Sequence, residues 1–274
     1  VQIGCDDERV MEVIERRYAR MVDRDAVCEP VLSAFIISRG KNPGVLIGDE
    51  YVRAFDELGS SGALRLTPAA IEGRAMLAIN ARIFRLRQDL VVFHAGAIAL
   101  GDQAAVVVGP TTSGKSTTCL SLLYHSERNR PLSDEFALVN TSSGEVESFP
   151  RLFSLRTGTR RLLGLQALDL DWEAVDPAAA LQRNWMPHAK RSSFFFIVGR
   201  GKHASARQMP LSEAIFLAVG SEVQTTIDKN HLRIVDRVIS ALSMSKLYAL
   251  TVGTPQDTCD VIQRLTVATE TAVA

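Results

Sequence analysis

Residues Gly109-Pro110-Thr111-Thr112-Ser113-Gly114-Lys115-Ser116 fit the pattern G-x-x-x-x-G-K-[ST] in full. Two glycines allow the backbone to turn so that successive N–H groups converge on one anion. A helix beginning near Gly114 would add its own unpaired N–H groups and the positive end of its dipole. Lys115 is placed to reach β- and γ-phosphates as a point charge, and Ser116 to set its hydroxyl on Mg2+. Thr111, Thr112 and Ser113 read as loop formers, and the run from Gly109 to Thr117 is expected to touch the nucleotide. The chemistry implied is capture of the triphosphate tail of a nucleotide such as ATP, with Mg2+.

Further candidates lie on either side of the loop. Asp134-Glu135 follows it by roughly twenty residues. Beside a triphosphate, one carboxylate suits Mg2+ and the other suits orientation of an attacking nucleophile. The preceding Arg130-Pro131-Leu132-Ser133 reads as a poor strand, and a surface turn explains the pair equally well. His94 ends an apolar run before the loop, where a histidine satisfied in the core is the plain alternative. Arg183, His188, Lys190 and Arg191 surround Trp185-Met186-Pro187 in a basic segment that suits a solvated loop or a mobile clamp on an anionic substrate. Arg200, Lys202 and His203 read as a polar hairpin tip, His125 as a complement to a helix C-terminus, and Cys119 as core packing.

Hydrophobic spacing indicates the frame that must position these residues. Ala104–Val108 is a strand feeding the loop, and Ser116–Leu123 continues as a buried helix. Leu90–His94 is a strand that Gly96–Leu100 extends or bends, with Gly101-Asp102 as a hairpin turn. Phe136–Val139 and Glu145–Phe149 flank the turn 141–144 and should be antiparallel, so a mixed sheet is expected. Ser193–Val198 and Leu247–Val252 are further strands. Helices are expected over Leu211–Val219, Lys229–Ser245 (Leu232, Val235, Val238, Ile239 and Leu242 on one stripe) and Gln256–Val267. Upstream, Asp7–Met21 has helical spacing through Val10, Val13, Ile14 and Met21. Val31–Ser38 and Gly44–Gly48 read as strands joined by a turn at Lys41-Asn42-Pro43-Gly44. Thr67-Pro68 opens a long helix to about Arg87, with Ile71, Met76, Ile79, Ile83 and Leu86 facing inward. The pattern is that of an α/β chain: a small N-terminal α+β lobe over residues 1–88 and a P-loop domain over 89–274.

Composition narrows the partners. Lys plus Arg and Asp plus Glu number 31 each, which gives no reason to expect nucleic acid or a membrane surface. Cys5, Cys28, Cys119 and Cys259 are scattered without metal-binding spacing, so neither a zinc site nor a disulfide framework is indicated. The apolar runs are too short to span a bilayer. No secretory leader is read at the start of the sequence, and a start at Val1 does not fix the natural N-terminus. A cytoplasmic location is the default expectation.

The ordered set His94, Gly109–Ser116 and Asp134-Glu135 resembles the HPr kinase/phosphorylase family, whose catalytic domain is similar to the nucleotide-binding half of phosphoenolpyruvate carboxykinase. His94-Ala95-Gly96 stands for the family's His-Gly pair with one residue inserted, and Asp134-Glu135 for its acidic pair. Ser154-Leu155-Arg156, Phe194–Val198, Pro210–Ala214 and Leu247–Val252 match elements of the short members, so the resemblance runs from about Leu90 to Val252. The family's Glu-x-Arg-Gly element and its Pro-Gly-Arg-Asn-like loop are absent, which points away from HPr as acceptor and away from phosphorolysis. The chain looks closer to short relatives that phosphorylate the C-terminal serine of lasso peptide precursors.

The resemblance implies transfer of the γ-phosphoryl group of ATP to a serine hydroxyl on a peptide or small protein. It makes Asp134 the base, His94 its neighbour, Lys115 the phosphate-binding cation and Arg156 a stabiliser of charge on the transferred group. Ser116 and Glu135 would share Mg2+. A homo-oligomer is one partner to test for, and the sequence does not fix the oligomeric state. Alternative acceptors are HPr, free serine or another small hydroxyl metabolite. The alternative of another class is an ATPase switch, although neither a Leu-Ser-Gly-Gly-Gln stretch nor an Asn-Lys-x-Asp signature is present.

Overall fold

The computed structural model describes residues 1–21, 32–38, 44–52, 67–162, 172–219 and 231–267. The chain divides into two compact units, Val1–Gln88 and Asp89–Ala274. Among the described residues, no helix is long and apolar enough to cross a membrane.

The first unit contains β1 (Gln2–Cys5), α1 (Glu8–Arg17), β2 (Ser33–Ile37), β3 (Gly44–Ile47), β4 (Glu50–Val52) and α2 (Pro68–Leu86). Its sheet runs β1-β2-β3-β4, the first pair parallel and the rest antiparallel. Asp7 caps α1 by accepting from Arg9 N, and Thr67 caps α2 from Ala70 N with Pro68 in the first turn. Val10, Ile14, Ile71, Met76 and Ile79 are buried as their spacing predicts. Val13 and Ile83 are half-buried, and two further expected core residues are exposed: α1 stops at Arg17, so Met21 lies beyond it, and Leu86 stands in the last turn of α2 while Phe84 is buried. The turn expected at residues 41–43, and Val31, lie outside the described residues.

The second unit comprises β5 (Leu90–Phe93), β6 (Ala95–Leu100), β7 (Gln103–Val108), α3 (Lys115–His125), β8 (Asn129–Ser133), β9 (Ala137–Asn140), β10 (Val146–Glu147), β11 (Phe153–Arg156), α4 (Thr157–Leu162), β12 (Trp172–Val175), α5 (Pro177–Ala180), β13 (His188–Ala189), β14 (Arg191–Arg200), β15 (Ser205–Gln208), α6 (Leu211–Val219), α7 (His231–Ser243), β16 (Lys246–Val252) and α8 (Pro255–Val267). The main sheet has the order β15-β16-β14-β7-β6-β8. Its centre, β16-β14-β7, is parallel, while β15, β6 and β8 are antiparallel to their neighbours, so the sheet is mixed.

Both faces of this sheet are covered, which explains why β7 reads as an unbroken apolar run. Ala105 and Val107 join Leu120, Leu123 and Ile262 in one buried cluster. Ala104, Val106 and Val108 join Phe194, Val238 and Leu242 in another. Burying each large side chain contributes about 1.5–3 kcal/mol, so the strand that ends at the loop is among the most firmly held. On α7, Ile234, Val238, Ala241 and Leu242 are buried, and the side chain of Leu232 lies outside the described residues.

Two expectations need correction. Residues 90–100 are not one bent strand: β5 and β6 belong to different sheets, and His94 sits at the break between them. The strands flanking 141–144 are antiparallel, as the turn predicts, yet they lie in a separate antiparallel sheet, β13-β10-β9-β5. The mixed character of the main sheet therefore has a different origin from the one expected.

Candidate functional site

The loop between β7 and α3 is built by backbone geometry that its glycines permit. Gly114 has φ +112, in the left-handed region that glycine enters without a side-chain clash. A Cβ on Gly109 would stand 2.7 Å from Ser113 Oγ and 3.1 Å from Ile197 Cβ, so the turn closes tightly there. Thr112 is left-handed as well, at φ +70 without being glycine. Ser113 N donates to Pro110 O at 3.1 Å, and the helix ladder starts with Thr118 N to Gly114 O at 2.8 Å. Among the described residues, the N–H groups of Gly114, Lys115 and Ser116 have no backbone acceptor. Such a row of unpaired donors at a helix start favours a bound anion.

Cations hold the loop from outside. Lys115 Nζ donates to Gly109 O at 2.7 Å and Pro110 O at 3.2 Å. Burial lowers the Lys115 pKa, with Asp134 pulling it back up. Arg200 Nη2 donates to Thr112 O at 3.2 Å and Ser113 O at 2.9 Å. Thr117 and Thr159 hydroxyls meet at 2.9 Å, which ties the start of α3 to α4.

The acidic pair stands at the end of a strand. Arg130-Pro131-Leu132-Ser133 is part of β8, which among the described residues ends the main sheet beside β6 while its Pro131 and Leu132 carbonyls accept from Met186 N and Phe149 N; an edge is where a sheet tolerates proline. Asp134 is buried; its Oδ2 accepts from Ser154 N at 3.0 Å, while its Oδ1 is buried with no hydrogen-bond partner. Burial raises its pKa, and the Ser116 hydroxyl, the Ser154 amide, Arg151 and Lys115 oppose that rise in decreasing order. Glu135 is partly exposed and paired with buried Arg151. Asp134 is thus a carboxylate beside Ser116.

Burial and the neighbouring Lys115 charge push the His94 pKa down to about 4, so the imidazole is neutral at physiological pH. Among the described residues it makes no hydrogen bond to Asp134, and its charged neighbour is Lys115. Arg156 ends β11 exposed, with no ion pair among the described residues, whereas Arg151 is the guanidinium that acts on Asp134. The basic segment is not a free clamp: Arg183 Nη1 donates to Ser126 O at 2.9 Å and Asn129 O at 3.2 Å beyond the end of α3. His188 lies in β13, and Lys190 stands 3.9 Å from Asp102.

Sequence reasoning missed Arg151, Arg200 and the packing role of Gly96. A Cβ on Gly96 would fall 2.4 Å from Cys119 Sγ, so α3 can rest on β6 only with glycine there. Cys119 is core packing, and it also sets the helix that begins at Lys115 against the sheet.

Among the described residues, no cluster of three or more His, Cys, Asp or Glu could hold a metal alone. Mg2+ shared with a triphosphate needs only one or two protein oxygens, and the Ser116 hydroxyl, the Asp134 Oδ1 and the Glu135 carboxylate are donors of that kind. The residues present fit the ion. No family model matches the chain, and no curated protein matches it significantly.

Proposed function

We propose that the protein is an ATP-dependent kinase that transfers the γ-phosphoryl group to a serine hydroxyl, with a peptide as acceptor. The observation that carries this reading is Asp134 Oδ1, buried and unpartnered beside Ser116 and Lys115 at the mouth of a phosphate-binding loop. A buried acceptor atom left unsatisfied costs stability, and one beside an anion loop is explained by a proton or cation supplied by substrate.

In this reading the loop amides and Lys115 bind the triphosphate tail, and Lys115 exchanges the carbonyls of Gly109 and Pro110 for phosphate oxygens. Ser116 and Glu135 would hold Mg2+, which when bound neutralises charge on the phosphates. Asp134 orients the acceptor hydroxyl and collects its proton late in a loose transition state. The burial that raises its pKa makes it a better proton acceptor than a surface carboxylate. Neutral His94 lines the approach without adding charge near Lys115. The domain type is that of the phosphoenolpyruvate-carboxykinase-like P-loop enzymes, and the cytoplasm is where ATP and an unmodified precursor peptide meet.

A second reading is an ATPase switch, favoured by the closeness of Asp134 to Ser116, which also suits a carboxylate supporting the metal. Incubation with Mg2+ and γ-labelled ATP in the presence of HPr, free serine or a serine-ended peptide separates the two. Label on the peptide is expected. Steady phosphate release with label on none of the three would favour the switch.

A further inference from the structure

Strand β14 outlasts its neighbour at the loop. Val108, the last residue of β7, pairs with Phe196, and β14 runs on through Ile197 to Arg200. The register against β16 shifts between Ile197 and Gly199, a bulge that leaves Val198 exposed and re-aims the last residues of the strand. Parallel neighbours end on the same side, so this extension passes the loop that leaves β7. Arg200 is where it ends, and its Nη2 bonds the carbonyls of Thr112 and Ser113.

Those two carbonyls belong to the most constrained part of the loop. Thr112 has φ +70, a conformation that residues with a Cβ avoid. In a planar peptide the carbonyl and the next N–H point opposite ways. A Ser113 carbonyl held by Arg200 therefore turns the Gly114 N–H away from the guanidinium, while Ser113 N is already bonded to Pro110 O. With Lys115 on Gly109 O and Pro110 O, and Arg200 on Thr112 O and Ser113 O, four loop carbonyls are drawn toward cations. Lys115 is wanted by the phosphates; Arg200 is not, and its bonds can persist in the loaded site.

We propose that Arg200 is a positioning residue for the triphosphate site: by holding the Thr112 and Ser113 carbonyls it keeps Thr112 left-handed and the unpaired Gly114 N–H aimed at the anion position before nucleotide arrives. The inference rests on the nucleotide-binding reading and extends the site to a strand outside the loop motif. Without the latch the loop samples the binding-competent form less often, and apparent affinity falls by that fraction. A glycine at 112 adopts positive φ unaided, so it should make the latch dispensable.

The test is calorimetric titration with Mg2+ and a non-hydrolysable ATP analogue. The variants are wild type, R200Q, R200K and R200Q/T112G. Arg200 is exposed at a strand end, so R200Q is expected to melt with the wild type in the absence of nucleotide. R200Q should bind about tenfold more weakly, the loss of a charged donor to two carbonyls. R200K should fall between, and T112G should restore most of the affinity that R200Q loses. Wild-type affinity in R200Q, or a deficit that T112G leaves unchanged, would overturn the proposal. Absence of binding by the wild-type protein would instead overturn the nucleotide reading beneath it.

Discussion

At the level of single side chains, the site is a contest between burial and charge. Asp134 and Lys115 are both buried, and each opposes the shift that burial imposes on the other. His94 has no opposing charge to rescue its protonated form, because Lys115 adds repulsion to desolvation. Its folded pKa of about 4 lies below the ordinary 6.5, so between those values the unfolded chain binds a proton that the folded chain refuses. Stability is therefore lost as pH falls through that window, and the loss is complete below about 4. H94Q removes the titration. Urea unfolding at about pH 7 and about pH 5 should show a smaller drop in stability for H94Q than for the wild type. Equal drops would mean that the folded protein protonates His94 normally.

At the level of elements, the loop depends on how closely α3 approaches β6. G96A puts a methyl group into Cys119, and overpacking of this kind costs about 1–3 kcal/mol. Chemical denaturation should show that loss, with part of it recovered in G96A/C119A. No recovery would place the strain elsewhere. The β7–loop–α3 unit was legible in the sequence because every cue is local: an apolar run, two glycines, a lysine, then a buried helix. The break at His94 was not, since Leu90–Leu100 is nearly continuous in hydrophobicity and only strand partners reveal two sheets. Proline disguised β8, whose edge position is a property of the whole sheet. Arg200 meets Thr112 across 88 residues of chain, a distance at which spacing carries no information.

At the level of the whole molecule, the loop, the acidic pair, His94 and Arg200 all belong to the unit Asp89–Ala274. A ligand that binds only the folded state stabilises it by about 2.7 kcal/mol at a hundredfold excess over Kd. Mg2+ with ATP should accordingly raise the melting temperature, and K115M should abolish the rise; an unchanged melting temperature at saturating nucleotide would argue against the site. The central claim is that Asp134 acts on the acceptor while the loop, with Mg2+ held by Ser116 and Glu135, secures the nucleotide. Parallel measurement of γ-phosphate transfer to a serine-ended peptide and of ATP affinity in wild type and D134N tests it most directly. The account predicts that transfer falls by roughly 10²–10⁴-fold while the Kd for ATP with Mg2+ stays close to that of the wild type. Transfer that survives in D134N, or a loss that tracks weakened nucleotide binding, would contradict it.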